Sequence, residues 1–436
     1  MTESLIAVTI LLVLCFVGVR IGVATFLVGY IGFALERGIG PAAQMSGQVI
    51  LETAMNYNLS VIPLFILMGV FIFRADVSSE LYAAAHRRFR RTRGGLAHST
   101  VLASAGFAAV CGSSLATAAT MTKVAMPSMR HYGYRDSLST GVVAAGATLG
   151  IMIPPSVPLV IYGIIAEQDI GKLFLAGTLP GIMLVGLFLA TVAIWVRLQR
   201  SAAPFDPATA LAPAKPLVGA AGRARVVVPV IALFVLVLGG IYGRLFTPTE
   251  AAGVGAAGAA LIALARGKLR SLGEWVEVLV EAARTTGALF MVVFGALVFA
   301  EYANYIGLPF AITEWVRAMN LTPFGLVLMI AVIAIIMGMV FESIGILLLL
   351  VPVFMPALLA AGVDLIWFGI IIVLVIEMGL ISPPLGMNVF VVKSVLPDAR
   401  MAEMFRGVIP FVLAMLIGLI IVLLFPPIAT AIPGLL

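Results

Sequence analysis

The chain has 436 residues, 62% of them hydrophobic and only 11% charged. A soluble domain averages about 25% charged residues, so a soluble enzyme or binding module is excluded and a polytopic membrane protein is expected. The net charge of +6 is dispersed in short basic clusters between apolar runs; such clusters are topology signals in a lipid bilayer, and no nucleic-acid partner is expected.

From the N-terminus, Leu5 to Leu35 is apolar apart from Gly18, Arg20 and Gly22. As one helix it would be ~46 Å long, too long for a hydrocarbon core of ~30 Å, so two short helices are expected. The start lacks a basic region and a small-residue cleavage site, and reads as a retained helix. Arg87, Arg88, Arg90, Arg91 and Arg93 form the strongest basic cluster, expected on the cytoplasmic side. The apolar segment that follows ends at a second basic group, Arg130, His131 and Arg135. With both ends on one side, residues about 94–131 read as a re-entrant hairpin. Its tip falls at Cys111-Gly-Ser-Ser-Leu-Ala-Thr117, small and polar. Irregular backbone at that depth requires burial in protein or a cavity.

Residues about 136–166 then cross outward around Pro154-Pro155, and about 173–197 return to Arg197 and Arg200. Residues 201–222 hold Pro204, Pro207, Pro213 and Pro216 and read as a cytoplasmic linker. Beyond it, 224–243 cross outward and 250–265 return to Arg266, Lys268 and Arg270. Leu272–Arg284 reads as an interfacial helix, with 285–303 crossing outward. Residues about 324–361 form a second hairpin, opening to the outside. Residues about 365–392 cross inward around Pro383-Pro384, and 406–427 cross out.

A constant offset of 229 residues relates Pro127 to Pro356, Pro154-Pro155 to Pro383-Pro384, and Gly150 to Gly379. Residues 1–200 and 223–436 therefore read as one unit written twice, and the charge pattern gives the two copies opposite orientations. The expected fold is an all-α polytopic membrane protein built as an inverted repeat, with two re-entrant hairpins and two broken transmembrane helices, the pattern of a secondary transporter.

Each repeat offers one candidate site. In the first, Gly112, Ser113, Ser114 and Thr117 face Thr148, Gly150, Pro154, Pro155 and Ser156. A proline pair removes two backbone donors and frees carbonyls in the preceding turn. Such carbonyls, with Ser and Thr hydroxyls, are hard oxygen ligands suited to sodium, and half-helix N-termini favour an anionic group. Small residues that merely let helices pack closely are the alternative. In the second, Gly338, Glu342 and Ser343 face Gly379, Ser382, Pro383, Pro384 and Asn388. Glu342 is either a functional acid or one that binds backbone donors at the hairpin tip. Asn388 either binds substrate or joins helices, the latter favoured. Glu301 and Glu377 also lie in apolar surroundings; Glu301, expected at the outer interface beside Tyr302 and Asn304, ranks below Glu342.

Other chemistry finds no support. Cys15 and Cys111 lie in apolar segments and imply no disulfide framework. His86, His98 and His131 lack metal-ligand spacing, and no Walker-type stretch points to ATP. Gly253-Val-Gly-Ala-Ala-Gly258 matches a dinucleotide fingerprint in letters only, with no strand before it; close helix packing is its expected role.

With these residues in view, the chain resembles the large membrane subunit of tripartite ATP-independent periplasmic (TRAP) transporters. The likeness rests on Ile62–Gly69, Gly112–Ala118, Leu149–Ser156, Ile241–Ala251 and Gly379–Gly386 and runs over essentially the whole chain, with Ser382 standing where the family commonly has threonine. The resemblance implies an elevator-type secondary transporter in the bacterial inner membrane, coupled to sodium and needing no other cofactor. It implies three partners: a small four-helix membrane subunit, a periplasmic binding protein, and an organic-acid substrate such as a C4-dicarboxylate or sialic acid. The ion ligands it implies are Ser113, Ser114, Gly150 and the Pro154 break, then Glu342, Ser343 and Gly379, many through backbone carbonyls, with substrate between the two tips. A stand-alone sodium–dicarboxylate carrier of similar fold, and a channel or membrane scaffold, are the competing readings.

Overall fold

The computed structural model describes residues 2–204 and 224–435, and every regular element among them is a helix. The expected linker at 201–222 lies, beyond a short turn at Arg200–Ala202, outside the described residues. The first repeat comprises α1 (Thr2–Phe16), α2 (Ile21–Arg37), α3 (Ile39–Met55), α4 (Val61–Arg74), α5 (Val77–Phe89), α6 (Gly95–Cys111), α7 (Ser114–His131), α8 (Asp136–Met152), α9 (Val157–Ile165) and α10 (Ile170–Leu198). The second comprises α11 (Ala224–Tyr242), α12 (Pro248–Ala265), α13 (Leu272–Tyr305), α14 (Leu308–Ala318), α15 (Pro323–Gly338), α16 (Ser343–Ala360), α17 (Leu365–Ile381), α18 (Met387–Val395), α19 (Met401–Leu424) and a final turn, α20 (Pro427–Thr430). The apolar N-terminal stretch is thus two helices, parted at Val17–Arg20.

The 229-residue offset holds in the backbone. α7 and α16 begin and end at positions 229 apart, and so do α8 and α17. Polar residues in an otherwise apolar chain mark where helices start, because a side-chain oxygen satisfies amide groups that have no intrahelical acceptor. Ser113 accepts from Ala116 N, Ser156 from Leu159 N, Asp169 from Lys172 N and Asp364 from Ile366 N and Trp367 N. Thr247 with Glu250, and Ser271 with Glu274, form reciprocal capping boxes.

One expectation is corrected. Leu272–Arg284 is not a separate interfacial helix but the first part of α13, continuous over 34 residues. At 1.5 Å per residue α13 is roughly 51 Å long, beyond the ~30 Å of a hydrocarbon core. The capping box at Ser271 starts it, and no proline interrupts it before Pro309. In the first repeat the corresponding stretch is split into α3 and α4 by the turn at Tyr57–Ser60.

The helices pack in two groups, and in both the repeats exchange partners. In the outer group α2 lies along α13, and α12 lies along α4. Close backbone approach makes both contacts possible: a Cβ on Gly295 would stand 2.0 Å from Gly22 O, and one on Gly255 2.6 Å from Met68 Sδ. Gly258 likewise meets Leu233 of α11, so two glycines of the fingerprint-like stretch, Gly255 and Gly258, serve helix packing while Gly253 faces open space. In the inner group α8 and α17 run through the centre. Leu138–Met152 and Trp367–Ile381 are buried without interruption, as helices apolar on every face must be. Around them α7 packs on α18, and α16 packs on α9, so each hairpin rests on the broken helix of the other repeat.

Polar contacts reinforce the exchange. The Tyr162 hydroxyl donates to Leu365 O across the repeat boundary, and within the second repeat Trp367 Nε1 donates to Val422 O at 2.9 Å. At the basic end of α7, Arg130 binds Asp136 through Nη2 at 2.7 Å and Asp398 of the α18–α19 loop through Nη1 at 2.7 Å. A hydrogen bond with its own backbone, aided by the Arg130 guanidinium, holds the Asp398 carboxyl below its ordinary range. Among the described residues, six helical segments are long and apolar enough to cross a membrane, and α8 with α9 forms a further bent pair with a 42° kink.

The crossing of α8 and α19 is the tightest test of this packing. A Cβ on Gly141 would sit 2.2 Å from Gly407 O, an overlap with backbone that no rotamer change relieves. Gly141→Val is expected to cost about 3 kcal/mol and to lower the unfolding temperature of the detergent-solubilised protein. Gly253→Ala, where a Cβ meets nothing within 4 Å, is expected to leave it unchanged or raise it by a helix-propensity gain of up to about 1 kcal/mol. Equal melting temperatures for the two variants would refute the crossing.

Candidate functional site

The two hairpins turn where the sequence reading placed their tips. α6 ends at Cys111 and Gly112 takes a left-handed conformation with φ 64°. Ser113 then starts α7, its hydroxyl 3.4 Å from Ala116 N. In the second repeat α15 ends at Gly338 and α16 begins at Ser343, with Glu342 at the cap position. The Glu342 side chain makes no capping hydrogen bond. That removes the reading in which it serves backbone donors at the tip and leaves a half-buried carboxylate free to act on something else.

Each tip is backed by the break of its own broken helix. Gly112 approaches Pro155 O and Val157, where a Cβ would lie 3.4 Å and 3.6 Å away. Gly150 of α8 lies against Ala108 of α6, and Gly379 of α17 against the Gly338 backbone, where a Cβ would come within 2.5 Å in both cases. Gly386 N donates to Met339 O at 3.3 Å, joining the second break directly to its hairpin. Both proline pairs are cis. Pro154 and Pro155 have no N–H, so the carbonyls of Gly150 and Ile151 lose their donors four residues on; Pro383 and Pro384 do the same to Gly379 and Leu380. Gly379 O recovers one bond, from Ser382 N at 3.0 Å.

The tips converge on one cleft of about 640 Å³. Of the residues expected at the site, Gly112, Ser113, Ser114, Glu342 and Ser343 line it. Gly150, Pro154, Pro155, Gly338, Gly379, Pro383 and Pro384 form the layer behind the tips. Four hydroxyls are satisfied locally: Thr117 by Ser113 O, Ser382 by Met378 O, Thr148 by Ala145 O, while Ser156 accepts from Leu159 N. Thr148 stands beside Met415 of α19, 4.0 Å from its sulfur. Asn388 donates weakly to Ala144 O at 3.4 Å across the repeat boundary, and its Oδ1 has no partner.

Glu377 is 1% exposed, and neither carboxylate oxygen has a hydrogen-bond partner. An ionised carboxylate so placed is costly without a cation or proton. Among the described residues no three His, Cys, Asp or Glu side chains gather as metal ligands, so the donor set available at the breaks is backbone carbonyls, hydroxyls and the two acids. These are hard oxygens, the donor type that suits hard cations rather than thiolate-seeking metals.

The remaining walls of the cleft come from residues the sequence reading did not single out. α4 contributes Gly69, where a Cβ would lie 3.2 Å from Cys111 O. α13 contributes Glu281, Arg284, Ala288 and Val292, and α7 adds Thr120 and Lys123. The spacing 281, 284, 288, 292 is one helix face, and continuity of α13 from its capping box was the signal that would have revealed it. A second groove of about 1020 Å³, lined by Arg135, Trp195 and Arg406 among others, lies away from both tips and gathers none of the candidate residues.

Comparison with known proteins agrees with this architecture. The family described as "Tripartite ATP-independent periplasmic transporter, DctM component" matches residues 8–428. The C4-dicarboxylate TRAP transporter large permease protein DctM of Pseudomonas aeruginosa is 35% identical over 388 residues, 88% of each chain. The sialic acid TRAP transporter large permease protein SiaM of Vibrio cholerae is 31% identical over 422 residues, 97% of this chain and 96% of that one. Among solved structures, the Alcanivorax borkumensis YdaH transporter shares the fold, with a TM-score of 0.68 at 15% identity over 89% of each chain. The chain is a multi-pass transporter subunit rather than an enzyme, and it belongs to the DctM family of TRAP transporter large permeases.

Proposed function

We propose that this chain is the sodium-coupled, elevator-type permease of a TRAP system in a bacterial inner membrane. It imports a small organic acid of the C4-dicarboxylate or sialic-acid kind, the cargo named for the relatives above. A periplasmic binding protein delivers the acid, and a small membrane subunit buttresses the outer helices. The observation that carries the reading is the convergence of both hairpin tips, with the uncapped Glu342 carboxylate, on one cleft between the inner and outer helix groups.

In this reading sodium is held by Ser113, Ser114, Gly150 and the carbonyls freed at Pro154, and by Glu342, Ser343 and Gly379. The acid lies between the tips, where the N-termini of α7 and α16 point partial positive charge at it. The exchanged packing of α7 on α18 and α16 on α9 supports movement of the inner group as one body. Small residues at its contact with the outer group, such as Gly69 against Cys111, suit a surface that slides.

Uptake into proteoliposomes tests this reading, with sodium gradient and binding protein each supplied or withheld. Glu342→Gln removes a charge-assisted ligand worth about 1.5–3 kcal/mol, so half-maximal uptake is expected at a sodium concentration roughly 10- to 100-fold higher. Unchanged sodium dependence would remove Glu342 from the ion site. Uptake that needs no binding protein would make the chain a stand-alone symporter instead.

Asn388 separates cargo contact from packing. Its one bond is long and its Oδ1 is unpaired. Replacing a poorly satisfied buried amide by an apolar group of similar size is close to neutral or stabilising. Asn388→Leu is therefore expected to keep both melting temperature and uptake. Lost uptake at an unchanged melting temperature would instead assign Asn388 to the cargo.

A further inference from the structure

The cleft does not end at the tips. It continues between α7 on the inner group and α13 on the outer group, and each wall carries one cation, Lys123 and Arg284. Lys123 lies nine residues past Ser114, roughly 13 Å along α7, and Arg284 lies eight residues before Val292, roughly 12 Å along α13. Both side chains are exposed, and among the described residues neither has an ion-pair or side-chain hydrogen-bond partner.

Two acids also reach this cleft. Glu281 is one turn from Arg284 on α13, but Arg74 of α4 approaches it at 3.9 Å while pairing with Glu277 at 2.8 Å. Glu342 stands at the far end, beside the tips. Between them Lys123 and Arg284, neither of which is in ion-pair contact with an acid among the described residues, line a common space. Snorkelling of long basic side chains to a lipid interface would turn them outward, whereas these two, on different helices, both line the cleft. Ionisable groups within spanning segments are functional candidates whose partner should be named.

We propose that Lys123 and Arg284 form a second anion subsite, which receives the carboxylate or sulfonate of a small organic acid after it leaves the hairpin tips. Its two halves sit on different helix groups, so the subsite is complete only when the groups stand as they do here. The inference rests on the transport reading above in one respect, that the cleft carries an anion.

The test reads the potential in the cleft directly and needs no ion gradient or binding protein. A reporter, Ala288→Cys, is placed in the detergent-solubilised chain with Cys15→Ser and Cys111→Ser. Ala288 is exposed, lines the cleft and lies one turn from Arg284. It is labelled with a sulfonate-bearing and, separately, a trimethylammonium-bearing methanethiosulfonate. The anionic-to-cationic rate ratio is expected to fall on the order of tenfold in Lys123→Gln/Arg284→Gln. Succinate or sulfate is expected to slow labelling in the parent and not in the double variant. Native Cys111, which also lines the cleft, gives the same reading in a Cys15→Ser chain with no introduced reporter. A ratio unchanged within about twofold at both thiols overturns the proposal. Protection by phosphatidylglycerol in mixed micelles, with none by succinate or sulfate, marks a lipid-headgroup site and overturns it too. Absence of sodium-driven uptake would instead count against the transport reading and leave the labelling ratio as measured.

Discussion

A helix that is buried on every face has nowhere to send its unpaired end groups, and this constraint organises the molecule. α8 and α17 are apolar and enclosed along fifteen consecutive residues each. Both stop at a proline pair, α8 at the buried Pro154-Pro155 and α17 at the exposed Pro383-Pro384. Helix ends leave carbonyls without intrahelical donors, and proline removes two further donors at that point. In lipid such groups must be satisfied by protein, water or an ion. The hairpin tips are what the fold brings to them: Gly112 against Pro155 O, and Met339 O against Gly386 N.

The exchange of partners between repeats follows from the same geometry. A hairpin whose arms are held only by its own repeat could move independently, and the tip-to-break contact would open. Here α7 leans on α18 and α16 on α9, while Arg130 joins the end of α7 to both Asp136 and Asp398. The inner helices are therefore interlocked across the repeat boundary. The outer helices are interlocked in the same way through α2 with α13 and α12 with α4. Between the two groups lie the cleft, close approaches such as Gly69 with Cys111, and an apolar contact in which Leu349 of α16 packs among Val28 of α2 and Phe299 of α13.

Much of this was legible in the sequence because it is written in residues with few alternatives. Proline pairs, glycines and basic clusters have strong local consequences, and the 229-residue offset is visible in them alone. The exact register of α7 with α16 and α8 with α17 followed from the same marks. Two features were not legible. Helix partners are chosen by shape at glycine contacts such as Gly295 with Gly22, and the letters do not say which repeat supplies the other side. The length of α13 was missed because Glu274, Glu277 and Glu281 suggest an interface, yet nothing in the backbone stops the helix there. With α13 divided at Arg284, the lower half of the cleft had no second wall.

The duplication is symmetric in backbone but not in charge. Glu342 and Glu377 in the second repeat occupy the positions of Ser113 and Thr148 in the first. Both acids lack the partners that would make them structural: Glu342 caps nothing, and Glu377 has two orphaned oxygens. Their counterparts are satisfied hydroxyls, Ser113 at the cap of α7 and Thr148 on Ala145 O. Two like breaks can thus present unlike sites, one of neutral hydroxyls and one carrying two acidic groups. A cation gains more at the second, where the attraction is charge on charge in a low dielectric. An anion gains more near the first, where the α7 N-terminus points at the cleft with no carboxylate on its own tip. Placing both tips against one volume lets each ion offset the desolvation of the other. That is a physical basis for coupling which neither break would supply alone.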